Sequence, residues 1–164
     1  MNELFHAIWI FPLAITLHNM EEGLWMPKWS EKHPRFSKIK GKNEFHFALI
    51  CVTILAYMAT FLFALFQSEV IFRYLFYGFV GAMLLNAIMP HLLVTIITKK
   101  YCPGVLTGVF LNIPCFSLLI IHSVNEKLIN GIEVMISTGI MSIVLLGLLP
   151  ILFKIGRGVV DVEV

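Results

Sequence analysis

Phe45–Phe66 reads FHFALICVTILAYMATFLFALF, a run without a single Lys, Arg, Asp or Glu. At a rise of about 1.5 Å per residue a helix of this length covers about 33 Å. That matches the hydrocarbon core of a bilayer, about 30 Å thick. Four further runs are predominantly apolar, with Glu21, Glu22, Arg73 and Glu133 as their charged residues: Leu4–Gly23, Val70–Thr98, Val105–His122 and Ile132–Phe153. The pattern predicts an all-α, polytopic integral membrane helix bundle, a single membrane domain over residues 1–164 with about five transmembrane helices. The third run exceeds one straight crossing and contains Pro90, which predicts a kinked or tilted helix. The fourth is short and carries Pro114. The first lacks a basic leader and a small-residue cleavage site, so it reads as a retained helix.

Composition agrees. Residues AVILMFWYC make up 59% of the chain and DEKR 13%, and mean hydropathy is +0.88. A soluble domain carries roughly 25% charged residues, and this chain could not cover a water-facing surface with so few. Disorder, a disulfide-stapled secreted module and a nucleic-acid binder are excluded on the same grounds. The formal charge is only +2, and the three cysteines, Cys51, Cys102 and Cys115, suggest no disulfide framework.

The basic residues orient the runs. Lys28, Lys32, Arg35, Lys38, Lys40 and Lys42 lie between the first two runs, Lys99 and Lys100 between the third and fourth, and Lys154 and Arg157 after the fifth. With five crossings these segments share one side, leaving Arg73 and Lys127 on the other. The positive-inside rule then predicts the N-terminus outside and the C-terminus cytoplasmic. A cytoplasmic membrane is the expected location. The basic loop is also placed to meet anionic lipid headgroups, so membrane lipids are expected partners, and nucleic acid is not.

Ionisable groups inside a membrane need a reason, since a charge near its centre costs about 2.5–3.5 kcal/mol on insertion scales. The first run contains His18-Asn19-Met20-Glu21-Glu22. On a helix, His18 and Glu22 are one turn apart and can grip one metal ion, with Glu21 nearby to take a proton. The spacing is that of an H-x-x-E-H metalloprotease motif with its last histidine replaced. In the orientation above, His46, Asn86, His91, Thr107 and Asn112 fall at the same depth. Asn86 and His91 would diverge by about 140° on an ideal helix. Pro90 clashes with the carbonyl of residue 86, and a local bulge there would bring both onto one face. The plainer readings are an interfacial role for Glu22 beside Trp25 and Trp29, an interfacial His46, and Asn86 as an interhelical linker.

His18-x-x-Glu21-Glu22, Asn86…His91 and Tyr101-Cys102-Pro103-Gly104-x-x-Thr107 together resemble the HXXEE-domain family of small bacterial integral membrane proteins. The resemblance spans nearly the whole chain. It implies a topology and a motif list, but no reaction. The Tyr-Cys-Pro-Gly element reads as a tight hairpin that positions the site, with Cys102 incidental.

These residues predict a membrane-embedded hydrolytic metal site acting on a lipid or other amphipathic substrate near the cytoplasmic leaflet. His18, Glu22 and His91 are the expected ligands of a divalent ion, zinc first, and Glu21 the expected general base. Asn86, His46, Thr107 and Asn112 are expected around them. The alternative is a non-catalytic membrane protein, a small transporter or an ion- or lipid-binding component, with a buried His/Glu network. Haem on His18 and His91, and a di-metal oxidative centre, fit the residue set less well.

Overall fold

The computed structural model describes residues 6–34 and 41–160, and all regular structure among them is helical. Arg35, Lys38 and Lys40 of the basic loop, and residues 4–5 of the first apolar run, lie outside the described residues. Five helices form the bundle. They are α1 (Ile10–Lys32), α2 (Lys42–Leu65), α3 (Val70–Thr98), α4 (Val105–Asn125) and α5 (Gly131–Val160). Four of them, α2 to α5, are long and apolar enough to cross a membrane. The chain is a membrane protein, and its outer surface agrees: Phe110, Met135 and Ile143 are each at least 73% exposed. Side chains like these belong against lipid rather than water.

The first apolar run was expected to end at Gly23, but α1 continues through Pro27 to Lys32. Hydropathy marks where apolar side chains stop, whereas the helix stops where its backbone hydrogen bonds do. His18, Asn19, Glu21 and Glu22 therefore lie mid-helix and lower the helix's apolarity, which is why α1 is not among the four. It nevertheless packs within the bundle. Thr16 bonds to Tyr57, Asn19 to Thr53 and His46 to the Gly23 carbonyl, so α1 runs antiparallel to α2.

At one end of α1, Phe11 is fully buried between the edges of Phe76, Phe79 and Phe116, with centroids 5.3–5.6 Å away. Towards the other end, the Trp29 indole donates to the Tyr101 carbonyl at 2.8 Å. Arg157 near the end of α5 pairs with Glu44 at the start of α2, N–O 2.9 Å. The described basic segments thus gather at one end of the bundle, and Arg73 bonds to the α4–α5 turn at the opposite end.

Prolines shape two helices. Ala87–Leu92 of α3 is a kink: the helical path breaks at Met89, which precedes Pro90 and is extended (φ −128°, ψ 113°), as the residue before a proline prefers. Gly108–Asn112 of α4 is a widened turn, ahead of Pro114. There the proline would clash with the carbonyl four residues back, and an inserted residue relieves the clash. The kink and the widened turn pack together: a Cβ on Gly108 would stand 3.3 Å from the Ala87 Cβ.

Helices α3 and α5 approach through glycine. A Cβ on Gly78 would lie 2.6 Å from the Ser137 carbonyl oxygen, whereas one on Gly139 would meet nothing within 4 Å. Overpacking costs about 1–3 kcal/mol. Gly78→Ala is expected to lower the thermal midpoint of the detergent-purified protein, and Gly139→Ala to leave it unchanged or raise it. Equal midpoints for the two variants would contradict this packing.

Candidate metal centre

The α3–α4 hairpin, Lys99 to Gly104, ends in a glycine with positive φ, Gly104 at 92°. A side chain there would be strained, and its Cβ would lie 2.6 Å from Nδ1 of His91. The turn aims the first N–H groups of α4, which have no partner within their own helix, back towards α1.

Glu21 receives them. Its Oε1 accepts from the N–H of Gly104 at 2.8 Å, the N–H of Leu106 at 3.2 Å and the Tyr101 hydroxyl at 2.6 Å. Its Oε2 accepts from the N–H of Thr107 at 2.7 Å and the Thr107 hydroxyl at 2.5 Å. A hydrogen bond to a charged group contributes about 1.5–3 kcal/mol net. Two of the five therefore offset an insertion cost of about 2.5–3.5 kcal/mol for the carboxylate. Partial burial, together with the bond to Glu21, pushes the Tyr101 phenol above its usual range and keeps it a donor.

This anchoring propagates to His18. Thr107 has one hydroxyl proton and gives it to Glu21, so its oxygen must accept from Nδ1–H of His18, 2.9 Å away. That leaves the lone pair of His18 on Nε2. His91 is fixed in the same sense: its Nδ1 is 2.7 Å from the Pro103 carbonyl, which can only accept. Both rings are buried, 0% and 1% exposed, and stand edge to face with centroids 5.1 Å apart.

The two Nε2 atoms converge with a carboxylate. One ligand atom each from His18, Glu22 and His91 lies within 4.8 Å of the others. Oε1 of Glu22 is 3.0 Å from Nε2 of His91. With Nδ1 of His91 already donating, two lone-pair atoms cannot rest at that distance unless a second proton or a cation stands between them. Asn86 Nδ2 is 3.3 Å from Nε2 of His91 and 3.4 Å from Nε2 of His18, so it touches both rings. The kink at Met89 and Pro90 has brought residues 86 and 91 together, through a break in the helix rather than the expected bulge.

Of the other expected residues, Thr107 joins the cluster through His18 and Glu21. His46 does not. It sits on the far flank of α1, with Nε2 2.8 Å from the Gly23 carbonyl, and lines an open groove of about 450 Å³ between α1 and α2 with Asn19 and Thr53. Asn112 is 1% exposed in the widened turn of α4, and its Oδ1 has no hydrogen-bond partner among the described residues. Sequence reading missed the Pro103 carbonyl and the backbone N–H groups of residues 104, 106 and 107. The available signal was a Pro-Gly turn opening a helix inside an apolar medium. Its unpaired N–H groups need an acceptor, and Glu21 is an acid in need of donors.

Comparison with known proteins agrees with this motif set. A family model described as a protein of unknown function with HXXEE motif matches residues 9–119. An uncharacterised Bacillus subtilis (strain 168) protein, YrkK, is 46% identical over 153 residues, which cover 93% of this chain and 97% of that one. No solved structure matches. The matched segment begins at the start of α1, carries His18, Glu21 and Glu22, and ends within α4 beyond Thr107. The chain therefore belongs to the HXXEE family.

Proposed function

We propose that this protein holds a divalent metal ion within the bundle, zinc first, on Nε2 of His18, Nε2 of His91 and the Glu22 carboxylate. We propose further that it uses the ion to hydrolyse a lipid or other amphipathic substrate near the cytoplasmic leaflet. The observation that carries the reading is the state of the two histidines. Each has Nδ1 committed to a protein acceptor, which leaves Nε2 for an ion, and a ligand atom of each ring lies within 4.8 Å of the Glu22 carboxylate. Metal-ligating histidines characteristically donate their other N–H in this way. Two histidines and one carboxylate form a three-ligand set that leaves a coordination position for water, which zinc activates by lowering its pKa to about 7.

Glu21 has a different role from the base expected of it. Its oxygens already accept five hydrogen bonds, so we assign it to positioning, acting on His18 through Thr107. Asn86 is the group best placed to touch a ligand bound beside both rings. His46 belongs to the α1–α2 contact. We read α1 as a fifth crossing, with the N-terminus outside and the C-terminus in the cytoplasm, on the charge distribution described above. The cluster then lies towards the cytoplasmic side of a bacterial cytoplasmic membrane.

The Glu22–His91 distance also supports a second reading, in which a proton takes the place of the metal and the pair is a buried ion pair in a non-catalytic protein. Elemental analysis of the detergent-purified protein separates the two. The metal reading predicts a stoichiometric divalent ion in the wild type and its loss in His18→Ala, His91→Ala and Glu22→Gln. A metal-free wild type that acquires no zinc on addition, and whose thermal midpoint zinc leaves unchanged, would favour the ion pair.

The bond from His18 to Thr107 can be tested separately. Thr107→Val removes the acceptor for His18 Nδ1 but keeps the backbone N–H to Glu21. Loss of such a supporting bond weakens metal affinity by about 10–100-fold, and Thr107→Ser is expected to restore it. Competition with a chromogenic chelator reads the affinity, and an unchanged value in Thr107→Val would contradict the proposed chain from Glu21 to His18.

A further inference from the structure

The end of the bundle opposite the basic segments carries two cations that the metal centre does not use. Arg73 lies in the first turns of α3 and Lys127 in the turn between α4 and α5. Although they are far apart in sequence, both line one cavity of about 340 Å³, with Val124, Leu128, Asn130 and Glu133. That volume is in the lower range of small-molecule sites, roughly 300–1,000 Å³.

Several features make the cavity a built one. The turn is closed by N–H bonds from Lys127 to the Val124 carbonyl and from Leu128 to the Ser123 carbonyl, at 3.1 and 3.0 Å. This is a Schellman end that sets where Lys127 projects. Arg73 is held against the same turn by Nη1 donating to the Leu128 carbonyl at 3.3 Å. Its Nε is buried and has no acceptor among the described residues, a costly state for a charged donor. Glu133, the acid on the cavity wall, is occupied elsewhere. Its Oε2 accepts from the Asn130 N–H, and its own N–H donates to Asn130 Oδ1, both at 2.9 Å. This reciprocal cap starts α5.

We propose that this cavity binds the phosphate of an anionic phospholipid headgroup in the leaflet opposite the basic segments. Arg73 would give a guanidinium N–H and Lys127 an ammonium to the phosphate oxygens. The lining charges, Arg73 and Lys127 against Glu133, sum to one positive charge, which suits a phosphodiester monoanion better than a free dianionic phosphate. The helix ends put the cavity at headgroup level, where α3, α4 and α5 leave the apolar core. Val124 and Leu128 offer an apolar wall to the glycerol backbone.

The test uses the full chain in a neutral detergent, with phosphatidylglycerol, phosphatidylcholine or inorganic phosphate added, and reads the thermal midpoint and bound lipid by native mass spectrometry. Phosphatidylglycerol is expected to bind and raise the midpoint, and phosphatidylcholine and inorganic phosphate to do neither. Lys127→Gln, on the exposed turn, is expected to weaken phosphatidylglycerol binding at least tenfold. Lys99→Gln, which removes the same charge from the opposite end, is expected to leave it unchanged. Arg73→Gln adds a second reading if it folds. Equal binding by wild type and Lys127→Gln, no preference for phosphatidylglycerol over phosphatidylcholine, or an equal midpoint shift with inorganic phosphate alone would overturn the proposal.

Discussion

The Glu21 carboxylate is the contact on which the centre of this bundle depends. It takes the otherwise unpaired N–H groups at the start of α4, and in doing so resolves two problems that an apolar medium makes severe. A helix beginning inside the bundle needs acceptors, and an acid on a buried helix face needs donors. Each is the other's solution. The bonds also tie α1, the least apolar helix, to the α3–α4 hairpin at a fixed height. His18 and Glu22 are one turn apart on α1, so fixing Glu21 fixes where they meet His91.

With Glu21 ionised, the His18 tautomer follows from that anchor, and the His91 tautomer from the carbonyl it faces. Thr107 is donor to Glu21 and acceptor from His18, and the Pro103 carbonyl, one residue before Gly104, takes the proton of His91. The hairpin that caps Glu21 therefore also turns two imidazole lone pairs inward. Gly104 is needed here for two reasons, its positive φ and the 2.6 Å that a Cβ would leave to His91. The two consecutive glutamates share little beyond adjacency. Glu21 is saturated with donors, whereas Glu22 faces His91 across a distance that calls for a proton or a cation between them.

Much of this was legible in the sequence, and the parts that were not have physical causes. Apolar runs of membrane-crossing length identified the helical bundle. Pro90 marked the place of the distortion that unites Asn86 with His91, but not its form: the helix breaks at the extended Met89 instead of bulging. Depth brought Thr107 to the level of His18. Depth does not give direction around a helix, however, and that misplaced His46: it faces Gly23, one residue beyond Glu22 and about 100° around α1 from it. The role of Glu21 was hidden for another reason. Three of its five donors are backbone N–H groups, which carry no residue identity. The end of α1 was hidden because loss of hydropathy after Gly23 reports a change in the side chains, while Trp25, Met26 and Trp29 continue the same helix.

The central claim is that Nε2 of His18, Nε2 of His91 and a Glu22 oxygen converge to bind one ion. X-ray absorption at the zinc edge, on protein loaded with one equivalent of zinc, tests it most directly. The account predicts a first shell of nitrogen and oxygen at about 2.0–2.2 Å with the outer-shell scattering of two imidazoles. A first shell containing sulfur at about 2.3 Å, or a spectrum without imidazole that His18→Ala and His91→Ala leave unchanged, would contradict it.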